Sequence, residues 1–185
     1  RQFGAGRLLA ARLEHPEFVA GRHQPEQGKS QLVCRIRPDL DFLEACFRAG
    51  LLEYWDAVSV HPYRQSNPET AGREYRALRK LVARYAPKGK GVPILSGEWG
   101  YSTGWGGMTE ERQGRRLARQ WLFNVSEGVP LSIWYDWHDD GEDPREPEHH
   151  FGTVRSPYFG GRDPVYDPKL SYLAGLLLPA GFLTL

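Results

Sequence analysis

The chain has 185 residues, of which 40% are hydrophobic, 25% charged and 12% aromatic. A chain of this length buries roughly 70% of the surface of its unfolded form, so it can fold around a core without disulfides or a structural metal. The composition excludes a disordered, collagen-like or coiled-coil protein. Lys and Arg total 24 against 23 Asp and Glu, a net charge of +1. This balance gives no chain-wide field to hold nucleic acid or an anionic membrane, so we expect any partner to bind at a local site.

The cysteines and the two termini carry little information about compartment. Cys34 and Cys46 form no Cys-x-x-Cys pair, so no zinc or redox motif is present. Residues 1–18 lack the apolar core of a signal peptide. The apolar tail, residues 170–185, contains Pro179 and is shorter than the ~20 residues of a membrane-spanning helix. We predict that this tail is a closing helix packed on the core.

The first part of the chain is poorly specified. Residues 1–30 are charged and interrupted by Gly and Pro, with one possible helix over residues 6–13. Residues 31–36 are a possible short strand, which Arg35 interrupts. A helix is predicted to begin at Asp39, with its apolar face formed by Leu40, Leu43 and Phe47. We therefore divide the chain into an unassigned segment, residues 1–30, and a structured part, residues 31–185.

Three apolar runs of strand length follow, at residues 56–63, 92–99 and 130–137. Each run is nearly continuously apolar rather than alternating, which is typical of a parallel sheet covered by helices. Amphipathic helices are predicted between the runs, the second one beginning after a capping Thr109. Their predicted apolar faces are Tyr75, Leu78, Val82 and Tyr85 in the first helix and Leu117, Trp121 and Val125 in the second. The pattern indicates a parallel α/β fold.

Polar residues follow the carboxyl end of each predicted strand. His61 and Tyr63 end the first strand, Glu98 ends the second, and residues 134–141 end the third. In parallel α/β folds ligands bind at the carboxyl ends of strands, so this rim is the candidate site. A carboxylate in this position is costly to bury without a partner, although Glu98 as an ordinary solvated carboxylate remains an alternative.

The ordered set of motifs resembles a known group of enzymes. The sequences are His61-Pro-Tyr63, Gly97-Glu98-Trp99-Gly100 and Trp134-Tyr-Asp-Trp137. They resemble the retaining glycoside hydrolases of the cellulase-like (β/α)8 superfamily of clan A, most closely family 39 and its bacterial exopolysaccharide-degrading relatives. The resemblance runs from about residue 40 to residue 177 and includes the loop 138–152. It implies a TIM-barrel fold of which the chain holds about the last four βα units, since a complete barrel takes about 250 residues. It also implies an extracytoplasmic location.

The resemblance implies roles for the rim residues. A retaining hydrolase uses one carboxylate to attack the anomeric carbon and a second carboxyl group to protonate the leaving oxygen. By resemblance Glu98 is the nucleophile, Tyr63 donates its hydroxyl to Glu98, and His61 supports this network or bonds a sugar hydroxyl. The candidate substrate-binding residues are Trp137 as the floor of the sugar subsite, Trp134 as the second choice for that floor, Trp99 with Trp105 and Tyr101 as exposed rings of outer subsites, and Asp139. Ordinary core packing remains the alternative for His61, Tyr63 and the tryptophans.

The acid/base residue that the resemblance implies is not found. In the superfamily it is the glutamate of an Asn-Glu pair, and this sequence contains no such pair. Glu17 and Glu26 have neither a preceding asparagine nor a preceding apolar strand. We therefore expect a chain that is inactive alone, whose partners are a carbohydrate substrate and an amino-terminal half barrel.

The segment 138–150 tests the case for a metal, because it holds three His and six Asp or Glu residues. It contains no EF-hand and no His-x-x-x-His pattern, so we predict neither a metal nor another cofactor. Three functions remain open. They are the nucleophile-bearing half of a retaining glycosidase, a non-catalytic carbohydrate-binding remnant of such a barrel, and an unrelated α/β enzyme assisted by a metal in this segment.

Overall fold

A computed structural model describes residues 40–182. In chain order the helices and strands are α1 (Leu40–Arg48), β1 (Val58–Val60), α2 (Gly72–Tyr85), β2 (Ile94–Trp99), α3 (Glu110–Ser126), β3 (Ser132–Trp134), β4 (Val154–Tyr158), β5 (Tyr166–Pro168) and α4 (Leu170–Phe182). Short 3-10 turns lie at Leu51–Glu53, Pro68–Ala71 and Pro147–His150. The predictions for residues 6–13, 31–36 and Cys34 lie outside the described residues. Cys46 is a buried, free cysteine.

The three main strands form one parallel sheet in the order β1-β2-β3, which confirms the predicted parallel α/β arrangement. Val60 pairs with Ser96, and Trp99 pairs with Trp134. The strands are shorter than the apolar runs because proline lacks the N–H that a ladder needs. Pro62 follows β1, and Pro93 precedes β2. Pro93 contributes to the pairing through its carbonyl, which accepts a hydrogen bond from the Val58 N–H at 2.9 Å.

Helix α2 buries the face that the sequence predicts. Tyr75, Leu78 and Val82 are buried, and they lie one turn apart on the side that packs on the sheet. The Tyr75 hydroxyl donates to Asn124 Oδ1 at 3.0 Å, which joins α2 to α3. Tyr75 and Phe123 also stack, with ring centroids 5.9 Å apart.

The predicted apolar face of α3 is wrong in part. Leu117 is buried, but Val125 is 62% exposed, and the fully buried side chains include Gln113 and Gln120. These amides are buried because each satisfies a carbonyl at or just after the end of β2. Gln113 Nε2 donates to Tyr101 O at 2.7 Å, and Gln120 Nε2 donates to the last residue of β2 at 3.1 Å.

Helix α4 packs on α3 by close approach at two glycines. A Cβ at Gly114 would lie 3.0 Å from Leu170 O, and a Cβ at Gly175 would lie 3.4 Å from the Trp121 ring. The predicted closing helix is therefore present. Its other face exposes Leu170, Tyr172, Leu173, Leu176 and Leu177. Over residues 40–182, no helix is both long and apolar enough to span a bilayer.

A β-hairpin that the sequence analysis did not predict precedes α4. Strands β4 and β5 are antiparallel, with Val154 opposite Pro168 and Tyr158 opposite Tyr166. The hairpin lies beside the rim, because His138 bridges to Val154 and the Asp139 N–H donates to Val154 O at 3.0 Å.

Candidate active site at the carboxyl ends of the strands

The parallel sheet brings the predicted site residues to one edge. Tyr63 follows β1, Glu98 is the penultimate residue of β2, and residues 135–138 follow β3. Since the strands are parallel, their carboxyl ends lie side by side. The structure therefore brings together His61, Tyr63 and Glu98, with Trp137 on the segment that leaves the adjacent strand.

Glu98 is held at the centre of this edge by two side chains from the neighbouring segment. The Tyr63 hydroxyl donates to Glu98 Oε1 at 2.8 Å. His61 Nδ1 lies 3.8 Å from Glu98 Oε2. The Glu98 side chain is still 40% exposed, so one of its oxygens is fixed by Tyr63 while solvent still reaches the carboxylate. This is the geometry that an attacking carboxylate requires.

Tyr63 is a permanent hydrogen-bond donor. Burial raises the pKa of Tyr63 far above its usual range, and the hydrogen bond to Glu98 raises it further. The ring packs edge-on against Tyr135 at 6.4 Å and against Phe151 at 6.1 Å. These contacts fix the direction of the hydroxyl, so the phenol stays neutral and aimed at the carboxylate.

Glycines flanking Glu98 allow the close packing on either side of it. A Cβ at Gly97 would lie 2.1 Å from Ser59 Oγ and 3.6 Å from His61 Nε2. A Cβ at Gly100 would lie 1.5 Å from Tyr135 O. A side chain at either position would therefore push β1 or the segment after β3 away from Glu98. The Gly-Glu-Trp-Gly sequence is a steric requirement of this edge.

Further acidic groups contribute charge to the rim. Burial raises the pKa of Glu148, and the carboxylates of Glu146, Asp140 and Glu98 add to the effect. Burial also raises the pKa of Tyr135 to about 12, with Glu148 as the next cause. Tyr135 is thus a neutral phenol beside the carboxyl groups of the rim.

The sequence analysis missed Tyr135, Phe151 and Glu148 as site residues. Tyr135 lies in the aromatic run of residues 134–137, in which the resemblance gives a role only to the two tryptophans. Phe151 comes from a segment 16 residues further along the chain, and it reaches the site because the Asp136 N–H donates to Phe151 O at 3.2 Å. The available signal for this contact is Gly152, because a glycine often marks a close approach of two backbones. In the structure a Cβ at Gly152 would lie 2.2 Å from the Asp139 nitrogen.

Of the two candidate floor residues, Trp137 is the accessible one. Trp137 is 57% exposed. Its ring stacks on His138 with the ring centroids 6.0 Å apart, and it lies edge-on to Tyr166 at 5.4 Å. Trp134 is half-buried, and its Nε1 donates to Phe151 O at 3.3 Å. An open indole face suits contact with the apolar side of a sugar ring.

The prediction that the rings after Glu98 are exposed is wrong for Trp99 and Tyr101. Trp99 and Tyr101 are fully buried, so neither has surface to offer a sugar. The reason is the alternation of side chains along a strand: if Glu98 faces the site, Trp99 must face the helices on the other side of the sheet. There it packs against Tyr101 at 6.1 Å and under the Arg64 guanidinium at 5.5 Å. Trp105 is half-buried.

The prediction of Asp139 as a substrate-binding residue is also wrong, because Asp139 is 6% exposed and both of its carboxylate oxygens accept hydrogen bonds from the protein. Lys169 Nζ donates to its two oxygens at 3.0 and 3.2 Å, and the Gly152 N–H donates to Oδ1 at 2.8 Å. Lys169 is 1% exposed and also donates to His150 O at 3.3 Å. Burial lowers the pKa of Lys169, against the pull of Asp139. The pair ties the segment after β3 to the start of α4 and is not a substrate contact.

The histidines and carboxylates of residues 138–150 do not gather into a cation site. Within residues 40–182, no group of three His, Cys, Asp or Glu side chains is placed to hold a metal ion. His138 Nε2 lies 3.1 Å from Ser156 O, and His150 Nε2 lies 2.8 Å from Asp143 O. The Asp143 carboxylate pairs with Arg145 at 2.9 Å. These side chains organise the segment itself.

The geometry can be compared with known proteins. The sequence matches no protein-family model and no curated protein. Solved structures of glycoside hydrolases do match. A family 39 glycoside hydrolase from the gut symbiont Bacteroides cellulosilyticus WH2 superposes with a TM-score of 0.61 and 25% sequence identity, covering 73% of this chain and 29% of that chain. The predicted resemblance to glycoside hydrolases is confirmed.

Two further matches are weaker. A family 2 β-galacturonidase from Eisenbergiella tayi gives a TM-score of 0.45 at 23% identity, covering 66% of this chain and 23% of that chain. A β-glucuronidase from Ruminococcus gnavus gives 0.43 at 20% identity, covering 65% and 21%. The chain thus spans less than a third of the length of each of these hydrolases.

Proposed function

We propose that the chain is the carboxyl-terminal half of a (β/α)8 barrel that hydrolyses a polysaccharide or oligosaccharide with retention of configuration, with Glu98 as the nucleophile. The observation that carries the proposal is the 2.8 Å hydrogen bond from Tyr63 to a half-exposed Glu98 at the carboxyl edge of a parallel sheet. The similarity to a family 39 glycoside hydrolase over 73% of the chain supports it.

The reaction then runs in two steps. In the first, Glu98 Oε2 attacks the anomeric carbon while the bond from that carbon to the leaving oxygen breaks, and the leaving oxygen takes a proton from a second carboxyl group. In the second, water attacks the same carbon, the bond to Glu98 breaks, and the water proton returns to the second carboxylate. Tyr63 keeps its proton throughout and holds Oε1, so that Oε2 is the attacking atom.

The second carboxyl group is proposed to come from an amino-terminal half barrel. Within the described residues β1 and β3 each pair with one neighbour, so both edges of the sheet are open. Leu131 and Ile133, beside and in β3, are 45% and 47% exposed. These apolar side chains lie at an open edge, and α4 exposes a further apolar face. The missing strands and helices of a barrel would cover such surfaces.

The proposal is tested by replacing Glu98 in the chain joined to its amino-terminal half. Glu98→Gln keeps the shape and removes the nucleophile, so turnover should fall by several orders of magnitude. Glu98→Ala with added azide should regain turnover of an activated aryl glycoside and yield a glycosyl azide of inverted configuration, because azide fills the space of the nucleophile. Near-normal turnover by Glu98→Gln, or an azide product of retained configuration, would contradict the assignment.

A non-catalytic carbohydrate-binding role is the second candidate, and the exposed Trp137 beside an incomplete pair of carboxyl groups favours it. The two functions separate cleanly. If the chain only binds, the barrel completed with an amino-terminal half should bind the oligosaccharide without hydrolysing it, Glu98→Gln should leave that binding unchanged, and Trp137→Ala should weaken it.

A further inference from the structure

A pocket of about 310 Å³ lies behind the rim, between the segment that follows β1 and the first turns of α3. Four arginines line it, at positions 112, 115, 116 and 119. This spacing of three, four and seven residues places them on one face of the helix. The pocket therefore concentrates positive charge, in a chain whose net charge is only +1. This arrangement is unfavourable by itself, because like charges on one helix face repel each other.

Two of the four charges are balanced and two are not. Arg115 pairs with Glu111 at 2.6 Å, and Arg119 makes a bidentate pair with Glu69 at 2.8 and 2.9 Å. In the described part of the chain, the other two guanidinium groups donate to backbone carbonyls, and Arg116 also lies within hydrogen-bonding reach of the Tyr101 hydroxyl. Arg112 donates to Gly107 O at 2.5 Å.

Arg116 is held in place by its neighbours. It donates to Gln65 O at 2.7 Å and to Ser66 O, and its guanidinium lies 4.8 Å from the centre of the Tyr101 ring. A carbonyl partner fixes a guanidinium without cancelling its charge. Arg112 and Arg116 therefore present two preorganised, uncompensated charges to the pocket, which is the arrangement that binds an oxyanion by paired N–H donors.

The rest of the lining suits a sugar. Trp105 contributes an aromatic ring to the lining, and Gln65 and Asn67 contribute side-chain amides. Gly106 has no atom within 4 Å of a Cβ position, so the backbone beside Trp105 is open. A volume near 300 Å³ is at the lower end for small-molecule sites, the size of a short saccharide unit rather than of a folded partner.

The pocket is also linked to the proposed active site. Trp105 packs edge-on against Phe151 at 5.3 Å, and Phe151 packs against Tyr63 at 6.1 Å, which in turn holds Glu98. These contacts join the wall of the pocket to the side chain that holds Glu98.

We propose that this pocket binds an acidic unit of an oligosaccharide, a uronate or a sulfate ester, through Arg112 and Arg116 with Trp105 under the ring. The proposal deepens the proposed function, on which it rests for the identity of the ligand as a sugar. Both a uronate and a sulfate ester carry an oxyanion on a saccharide, and titration with each kind of sugar distinguishes them.

The test is a calorimetric titration of the 185-residue protein with four probes: trigalacturonate, a sulfated trisaccharide, carboxyl-reduced trigalacturonate, and a hexaglutamate peptide. We expect one or both acidic sugars to bind and to weaken with added salt, and the neutral and peptide probes to bind far less. Whichever acidic sugar binds identifies the oxyanion. Arg112→Gln should weaken that binding at least about tenfold. Arg84→Gln, which removes the same charge beside Glu44 at the far end of α2, should leave it unchanged.

A second measurement uses the unaltered protein, in which the indole N–H resonance of Trp105 should shift when the acidic sugar is added. The proposal is overturned if the carboxyl-reduced sugar or the peptide binds as tightly, if Arg112→Gln has no effect, or if Trp105 does not respond. None of these readouts needs turnover. Binding without hydrolysis by the completed barrel would therefore count against Glu98 as nucleophile and not against the pocket.

Discussion

The hydroxyl of Tyr63 lies 2.8 Å from Glu98 Oε1, although 35 residues separate the two along the chain. Strands β1 and β2 make this contact possible, because their parallel pairing places both carboxyl ends at one edge. Tyr63 has its hydroxyl aimed by ring contacts and kept protonated by its raised pKa. One carboxylate oxygen of Glu98 is thus fixed, in a side chain that is still 40% exposed.

Replacing Tyr63 by Phe should therefore slow the completed enzyme without abolishing it. The change removes a hydrogen bond to a charged group, worth about 1.5–3 kcal/mol, or roughly 10–100-fold in rate if it is fully expressed in the transition state. Steady-state kinetics should show the loss in kcat with the ring contacts intact. A rate equal to that of the parent would mean that the Tyr63 hydroxyl does not act on Glu98.

Gly97→Ala should destabilise the protein because the new Cβ would lie 2.1 Å from Ser59 Oγ. Overpacking of this kind costs about 1–3 kcal/mol in the free energy of unfolding. Adding Ser59→Ala removes the clashing oxygen and should restore most of the loss, since the remaining Ser59 Cβ lies 3.4 Å away. Gly91→Ala is the control, because its Cβ would meet nothing within 4 Å. Urea unfolding that shows no rescue in the double variant would contradict the steric account.

Lys169→Met should cost about 3–5 kcal/mol of unfolding free energy, since it leaves the buried Asp139 carboxylate without its cation. Combining it with Asp139→Asn removes the stranded charge and keeps an acceptor for the Gly152 N–H, so the double variant should be more stable than the single one. The matched control is Arg145→Gln, whose side chain is 87% exposed in its pair with Asp143 and which should change stability by less than about 1 kcal/mol. Equal losses for the buried and exposed pairs would refute the tie between the rim and α4.

The 185-residue chain alone should not hydrolyse an unactivated oligosaccharide. A general acid contributes about 10²–10⁴-fold, and we expect that residue in the amino-terminal half. The exposed apolar surface of Leu131, Ile133 and α4 should also make the chain associate, which light scattering would detect. Efficient cleavage by a monomer would show that the acid lies within this chain.

The sequence was enough to predict the parallel strands and the residues that follow them. Continuous apolar runs and their polar ends are local features, and they located His61, Tyr63 and Glu98. The burial of Trp99 was also available, because alternation along a strand directs it away from the face of Glu98. The expectation of an exposed ring depended on placing Trp99 in the glycine-rich loop after Glu98, whereas Trp99 is the last residue of β2.

Other features depend on long-range pairing that no local pattern reveals. Gln113 and Gln120 are polar residues of a helix, yet they are buried because their amides donate to carbonyls at or just after the end of β2. Asp139 and Lys169 are 30 residues apart, and each carries a charge that would stay exposed without the other. The arginine-lined pocket likewise needs α3 to lie beside the segment after β1.

The central claim, that Glu98 attacks the anomeric carbon, is tested most directly by trapping the covalent intermediate. A 2-deoxy-2-fluoro glycoside with an activated aryl leaving group slows the second step and needs little help from an acid. After incubation with the completed enzyme and proteolysis, mass spectrometry should find one fluorosugar on the peptide that contains Glu98 and none on that peptide in Glu98→Gln. A fluorosugar on another carboxylate, or release of the aryl group with no labelled peptide, would contradict the account.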